Sequence, residues 1–201
     1  KSDFNQRYFL DDRPIIALLP GSRKQEVRKK LPIMLEAVKK ITSHQIVIAG
    51  APSLTPEFYT TFSSNVKIVQ NDTYDLLSKS DVAIVTSGTA TLEAALFKVP
   101  EVVCYKGSQV SYMIARQLIK VKFISLVNLI MDKEVVKELI QKECNPELIR
   151  AEVHRLIDDS NYREKQIENY IELEKKLGGG GASKKVAQSL LKTIHSGVTR
   201  A

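Results

Sequence analysis

The chain has 201 residues, the length of one domain or of a domain with a small appendage. With 43% hydrophobic and 26% charged residues and only 9 Gly and 7 Pro, its composition excludes collagen-like and wholly disordered chains. Thirty Lys and Arg against 23 Asp and Glu leave a net charge of +7, which favours an anionic partner such as a phosphate-bearing ligand, an acidic membrane surface or nucleic acid.

Residues 15–19 form a short apolar run stopped by Pro20 and Gly21, after which Val27, Leu31, Leu35, Val38 and Ile41 recur at helical spacing. That is a strand, a turn and a helix. The alternation returns with a strand at 45–49, a helix opened near Thr55 and Pro56, a strand at 66–69 and a helix capped by Asp72 or Thr73. A strand at 82–85, a helix at 89–97 and an apolar run at 102–105 follow. Five apolar strands alternating with helices predict an α/β fold, a doubly wound parallel sheet covered on both faces, because parallel neighbours need crossovers and these are usually helical.

Beyond Ser108 the pattern turns helical, with Met113, Ile114, Leu118 and Ile119 on one stripe, an extended piece at 123–126 and helices from Glu134 and Pro146. Residues 161–177 are highly charged and predict a long exposed helix. The four glycines at 178–181 read as a hinge before a last helix over about residues 183–195. The expected division is a nucleotide-binding domain at 1–160 with a helical C-terminal extension at 161–201. No stretch approaches the roughly 18 apolar residues of a spanning helix, and residues 1–5 lack a secretory apolar block. Two cysteines, Cys104 in an apolar run and Cys144 before Asn145, make neither a disulfide framework nor a zinc pattern. A reducing cytosol is the expected home, with Cys104 a small buried hydrophobe.

In an open parallel sheet, ligands gather beyond the carboxyl ends of the strands, at helix starts with free N–H groups. Two loops suit phosphate there. In Pro20, Gly21, Ser22, Arg23, glycine permits close backbone approach, serine caps the helix and arginine offers a planar fork; a plain capped turn explains Gly21 and Ser22 equally. The second loop, Thr86, Ser87, Gly88, Thr89, Ala90, Thr91, is dense in small hydroxyl residues, and Glu93 falls one turn into the helix, placed to accept both hydroxyls of a ribose. The alternative is a helix capped by Thr89 with Glu93 complementing the dipole. Neither a Walker loop nor a Gly-x-Gly-x-x-Gly fingerprint is present. His44, His154 and His195 read as solvated or capping residues with no clustered metal ligands, and no Gly-x-Ser-x-Gly elbow marks a serine hydrolase. Aromatics are 6% with no Trp and are not interleaved with basic blocks, so no nucleic-acid partner is expected.

Residues 18–23 read LLPGSR and are followed by Glu26; 87–93 read SGTATLE; 125–144 read SLVNLIMDKEVVKELIQKEC. In order and spacing these stretches resemble the C-terminal half of the lipid-A-disaccharide synthase family, over about residues 15–156. The resemblance implies one Rossmann-like half of a two-domain GT-B fold. It also implies an inverting glycosyltransferase that moves diacylglucosamine from UDP-2,3-diacylglucosamine to lipid X (2,3-diacylglucosamine 1-phosphate), giving lipid A disaccharide 1-phosphate and UDP. The family's N-terminal domain would carry much of the acceptor site and the candidate carboxylate base, so this chain resembles a donor-binding half, inactive by itself.

Carried over by position, Gly21, Ser22 and Arg23 face the donor diphosphate with Glu26 beside them, Ser87, Gly88, Thr89 and Ala90 hold pyrophosphate, and Glu93 takes the uridine ribose. Asn128, Glu138 and Gln141 match polar positions near the family's cleft; from the residues alone, Asn128 is a turn residue and the other two a solvated helix face. Arg23 and the helix-start dipoles would stabilise the leaving diphosphate. No metal or other cofactor is expected, in keeping with the absence of Asp-x-Asp. Met113, Ile114, Phe123, Leu126, Leu129, Ile130 and Met131 suggest either an acyl-chain path or, better, packing between domains. Arg23, Lys24, Arg28, Lys29 and Lys30 form either a solvated helix face or a contact with anionic lipid. Peripheral attachment to the cytoplasmic side of the inner membrane and a homodimer are further implications of the family. The rival readings are another UDP-sugar enzyme of this architecture, such as the peptidoglycan N-acetylglucosaminyl transferase or UDP-GlcNAc 2-epimerase, and a non-catalytic nucleotide-sugar binding module.

Overall fold

A computed structural model describes residues 3–107 and 122–178. The stripe from Met113 to Ile119, glycines 179–181, the last expected helix and His195 lie outside them. Strands β1 (Ile15–Leu19), β2 (Gln45–Gly50), β3 (Lys67–Gln70), β4 (Ser80–Thr86), β5 (Glu101–Tyr105) and β6 (Lys137–Ile140) form one sheet in the order β3-β2-β1-β4-β5-β6, every pair parallel. The helices are α1 (Asp3–Arg7), α2 (Lys24–Val38), α3 (Pro56–Thr60), α4 (Thr73–Lys79), α5 (Thr89–Leu96), α6 (Leu126–Met131), α7 (Pro146–Asp158) and α8 (Ser160–Lys176).

Successive strand residues point to opposite faces, and both faces are covered. Ile16, Leu18, Ile48, Val82 and Ile84 pack under α2, α3 and α7, whereas Ile15, Ala17, Leu19, Val47, Ala83 and Val85 pack under α1, α4 and α5. The sheet is therefore doubly wound, as the alternation of apolar runs requires. Helix α2 has no basic residue in its last turn. Arg150 of α7 supplies one, donating from Nε to the Ala37 carbonyl at 2.9 Å and from Nη2 to the Glu36 carbonyl at 2.8 Å, where helix ends need donors.

The last third departs from its periodicity. Residues 134–140 do not continue as a helix: Lys137–Ile140 is a sixth strand, paired with β5 from Val102↔Lys137 to Tyr105↔Ile140. Residues 123–126 are not a strand either, since Leu126 opens α6 with Ser125 as its cap. The reason is a buried polar cluster. Asn128 Oδ1 accepts the N–H groups of Val135 (2.7 Å) and Val136 (2.9 Å), and its Nδ2 donates to the Val136 carbonyl and to Glu138 Oε1, both at 2.9 Å. Glu138 also accepts the N–H groups of Ile124 and Ser125 at 2.9 Å. These bonds take backbone groups that a helix would have paired internally. Ile130 and Met131 accordingly pack against Tyr170 and Leu173 of this chain.

Helix α8 is not the wholly exposed rod that its charge predicts. Gln166, Tyr170 and Leu173 are buried, and Gln166 Oε1 accepts the Glu101 N–H at 2.7 Å while its Nε2 donates to the Glu101 and Val135 carbonyls at 3.3 Å. His44 is likewise no solvated residue: it is 5% exposed, with Nδ1 at 2.9 Å from Ser43 Oγ and Nε2 at 3.1 Å from Asp81 Oδ2. His154 is exposed, 3.3 Å from Asp158. Lys30, expected on a solvated face, is 5% exposed, and Lys24 and Arg28 lie over the Phe58 ring.

Glu101 opens β5 fully buried, with neither carboxyl oxygen hydrogen-bonded among the described residues. Burial drives its carboxyl well above the usual carboxylate range, and the neighbouring Tyr170 hydroxyl offsets this only in part. Above about pH 4.3 the unfolded chain releases this proton and the native chain keeps it, so stability falls as pH rises, by at most about 1.4 kcal/mol per pH unit. Glu101→Gln is expected to remove that slope in urea unfolding measured between about pH 5 and about pH 8; an unchanged slope would refute the assignment. Asn128→Ala strands two buried N–H groups at ~1–3 kcal/mol each, so equilibrium unfolding should show a loss of about 2–6 kcal/mol. A loss below about 1 kcal/mol would mean that the α6–β6 turn is held by something else.

Candidate functional site

The strand order reverses between β1 and β4, so the loops leaving their carboxyl ends diverge to opposite faces and open a crevice. A cavity of about 330 Å³ lies there. It is lined by Gly21, Ser22 and Glu26 from the first loop and helix, by Thr86, Ser87, Gly88, Thr89, Ala90 and Glu93 from the second, and by Gly50, Ala51, Pro52 and Thr73. Eight residues singled out in the sequence thus share one cavity: Gly21, Ser22, Glu26, Ser87, Gly88, Thr89, Ala90 and Glu93. Arg23 stands at its rim, with its side chain 83% exposed and Nη1 3.6 Å from Glu26 Oε1.

Two glycines shape the walls for different reasons. Gly21 has φ +113°, a conformation that other residues rarely adopt, and a Cβ on it would fall 2.7 Å from Glu26 Oε2, so that the carboxylate would have to move. Gly88 has φ +140° with nothing within 4 Å of where a Cβ would be; there the backbone conformation alone demands glycine. The capping differs from expectation. Arg23, not Ser22, is the N-cap of α2, and the Ser22 carbonyl accepts a hydrogen bond from Ser53 Oγ at 3.2 Å. Gly88, not Thr89, is the N-cap of α5. Neither position caps its helix with a side chain, so both helices present uncapped amide groups at the cavity. Asp72, at the start of α4, also makes no cap; its carboxylate accepts from Tyr8 at 2.6 Å and Arg7 at 2.7 Å.

The cavity holds two acids of different character. Glu93 is half-buried; burial raises its carboxyl above the usual range, against a hydrogen bond with Thr89 that lowers it. A carboxylate short of water in this way gains from ligand hydroxyl donors. Glu26 packs its Oε2 against the bare Cα of Gly21. An anionic ligand group is therefore repelled from the acid positions and drawn to the helix starts, while the acids face donors.

Asn128, Glu138 and Gln141 are not among the residues lining this cavity. The first two belong to the buried cluster at the β6 edge, so Glu138 lies on a strand and not on a solvated helix. Gln141 follows β6 with φ +53° and donates its backbone N–H to the Tyr105 carbonyl at 2.8 Å. Sequence reasoning missed the β2 loop, Gly50, Ala51 and Pro52, where the Ala51 N–H donates to Tyr59 Oη at 2.8 Å. Its signal was present: Gly-Ala-Pro stands at the carboxyl end of the strand beside β1. A larger open cavity, about 590 Å³, lies at the amino ends of β1 to β3 and is lined by Leu35, Ile41 and Phe62 with Arg13 and Lys67. Among the described residues, no group of three or more His, Cys, Asp or Glu is placed to hold a metal, and no helix is long and apolar enough to cross a membrane.

Comparison with known proteins bears on the fold and the family. Solved structures share the fold: a UDP-GlcNAc 2-epimerase from Neisseria meningitidis bound to UDP-GlcNAc superposes with a TM-score of 0.58 at 22% identity, covering 94% of this chain and 48% of that one. WaaG, a glycosyltransferase involved in lipopolysaccharide biosynthesis, gives a TM-score of 0.59 at 13% identity, covering 92% and 49%. The fold is one Rossmann-like half of the GT-B architecture. In sequence, lipid-A-disaccharide synthase from Myxococcus xanthus is 38% identical over 203 aligned residues, 96% of this chain and 53% of that protein. The chain spans about half the length of the curated relatives it matches. The family described as lipid-A-disaccharide synthetase matches residues 1–192, and the chain belongs to that family.

Proposed function

We propose that this chain is the donor-binding half of a lipid-A-disaccharide synthase and binds the UDP moiety of a UDP-diacylglucosamine. The observation that carries this reading is the single cavity in which two uncapped helix starts meet Glu93. The diphosphate takes the amide groups at the starts of α2 and α5, and the ribose diol donates to the Glu93 carboxylate, restoring the hydrogen bonding that burial removed. Glu26 is excluded from the phosphates by charge and faces hydroxyl donors of the ligand.

As the anomeric bond breaks, negative charge grows on the departing diphosphate, and fixed N–H dipoles with Arg23 stabilise it, in a route that needs no metal. The candidate carboxylate base and much of the site for lipid X belong to the other half of the enzyme, so this chain alone binds donor without turnover. A cytoplasmic enzyme, peripheral on the anionic inner-membrane surface and homodimeric when complete, with no nucleic-acid partner, accords with this reading.

Calorimetric titration of the chain with UDP, UDP-GlcNAc, ATP and a short oligonucleotide is expected to show preference for the two uridine ligands. Gly21→Ala should weaken UDP binding and cost about 1–3 kcal/mol of stability, part of it recovered by Glu26→Ala in the double variant, which relieves the steric share and leaves the backbone share. Preference for the oligonucleotide, or no uridine binding, would overturn the proposal. In an enzyme carrying both halves, Arg23→Ala should lower kcat by about 10²–10³-fold with little change in thermal midpoint. Turnover equal to that of the parent would remove Arg23 from the mechanism.

A further inference from the structure

A serine, a histidine and an aspartate that donor binding does not use are brought into line at the amino ends of the strands, the edge of the sheet opposite the donor cavity. Ser43 and His44 immediately precede β2, and Asp81 is the second residue of β4. Ser43 Oγ lies 2.9 Å from His44 Nδ1, and His44 Nε2 lies 3.1 Å from Asp81 Oδ2. The other Asp81 oxygen accepts from Arg163 Nη2 of α8 at 2.8 Å. Ser43 is exposed, and its two neighbours, Thr42 and the buried His44, both line the cavity of about 590 Å³.

A carboxylate only accepts hydrogen bonds, so the Asp81 contact assigns the ring proton of His44 to Nε2. Nδ1 then carries the lone pair, and the Ser43 hydroxyl donates to it. These are the roles of a nucleophilic triad: a hydroxyl, a base, and an acid that fixes the tautomer of the base, here with the two ring nitrogens exchanged. Arg163 holds the second oxygen of the acid and so fixes its orientation. Arg13 fixes the loop, donating from Nη1 to the Thr42 carbonyl at 3.1 Å and to the His44 carbonyl at 3.5 Å. Among the described residues, no backbone carbonyl accepts from the N–H groups of Ser43 and His44, which leaves both donors to a developing oxyanion. No elbow motif marks Ser43, but such triads are recognised by geometry and roles and not by sequence position.

We propose that Ser43, His44 and Asp81 form a second, hydrolytic site for carboxylic esters of short fatty acids, with the acyl chain in the cavity at the amino ends of β1 to β3. Leu35, Val38, Ile41, Ile46, Phe62 and Val66 give that cavity an apolar wall suited to an alkyl chain, and its volume is that of a small-molecule pocket. Ser43 Oγ attacks the ester carbonyl carbon as its proton passes to His44 Nδ1; a C–O bond forms, and the carbonyl oxygen takes the negative charge. Collapse of this intermediate breaks the ester C–O bond, and the alcohol leaves with the proton from Nδ1. Water then attacks the acyl-serine while giving a proton to Nδ1, and the second collapse frees the carboxylic acid and returns that proton to Ser43 Oγ. In sum one ester and one water give one acid and one alcohol, with no change of oxidation state. Asp81 and Arg163 act through the ring and are positioning residues.

Native chain incubated with a fluorophosphonate should take up a single label, located on Ser43 by peptide mass spectrometry, and chain unfolded in urea should take up none, because the ring must be folded against the hydroxyl. The native chain should also hydrolyse p-nitrophenyl butyrate faster than buffer does. Ser43→Ala, a change at an exposed side chain, should abolish both label and hydrolysis while leaving the thermal midpoint unchanged. His44→Gln should lower kcat by about 10²-fold or more. Asp81→Asn should lower kcat with KM unchanged, a split that a loosened cavity wall would not give. Circular dichroism verifies the fold of these two variants, and the Ser43→Ala result stands whether or not they fold. Absence of label from Ser43, labelling that persists in urea, hydrolysis by Ser43→Ala at the parental rate, or parental kcat in folded Asp81→Asn would each overturn the proposal.

Discussion

The pairing of β1 with β4 is the contact from which the candidate site is built. These strands are far apart in the chain and adjacent in the sheet, with Leu18 beside Ile84 and Leu19 beside Val85. Because both run the same way, their carboxyl ends finish at one level, and because α2 and α5 then cover opposite faces, the departing loops leave a cavity between them. Gly21 and Thr86 face each other across that space, where a Cβ on Gly21 would lie in ordinary contact with Thr86 Oγ1 at 3.5 Å. Had β1 and β4 been separated by another strand, each loop would be an ordinary capped turn.

Within the crevice, attraction and repulsion are divided by position. The helix starts carry partial positive charge, and at the cap positions Arg23 and Gly88 no side chain accepts a hydrogen bond from the first-turn amides. Glu26 and Glu93 lie further along the same two helices and reserve their surroundings for hydroxyl donors. In the proposed function, this division lets one site discriminate the phosphate end of a ligand from its sugar portions. Arg23, 83% exposed at the rim and 3.6 Å from Glu26, is in that proposed function the countercharge for the diphosphate as the bond breaks.

The C-terminal third is held by side chains that substitute for backbone partners. Asn128 ties the turn between α6 and β6, Gln166 pairs with both backbone groups of Glu101 as a neighbouring strand would, and Arg150 closes the end of α2. Such bonds are expensive to break because their partners are buried. They also explain why three polar positions matched to the family's cleft are separate from the cavity: Asn128 and Glu138 spend their polar atoms on each other and on the backbone, and Gln141 turns the chain out of β6.

Local pattern alone determined the first five strands, the helices between them and the two phosphate-suited loops, since apolar runs broken by Pro20–Gly21 and Ser87–Gly88 admit few other readings. The same rules failed at residues 134–140, where Val135, Val136 and Leu139 mimic a helical stripe, and at α8, whose charge conceals the buried face of Gln166, Tyr170 and Leu173. Only tertiary structure decided those elements, because a strand at the edge of a sheet exists by pairing with β5 and a polar side chain becomes structural only when a distant backbone group needs it. It also decided the character of single residues: Lys30 and His44 are buried, and Ser22 does not cap α2. Sequence fixes which groups a chain possesses, whereas pairing across forty or sixty positions sets which of them lose water, and the loss of water governs their chemistry.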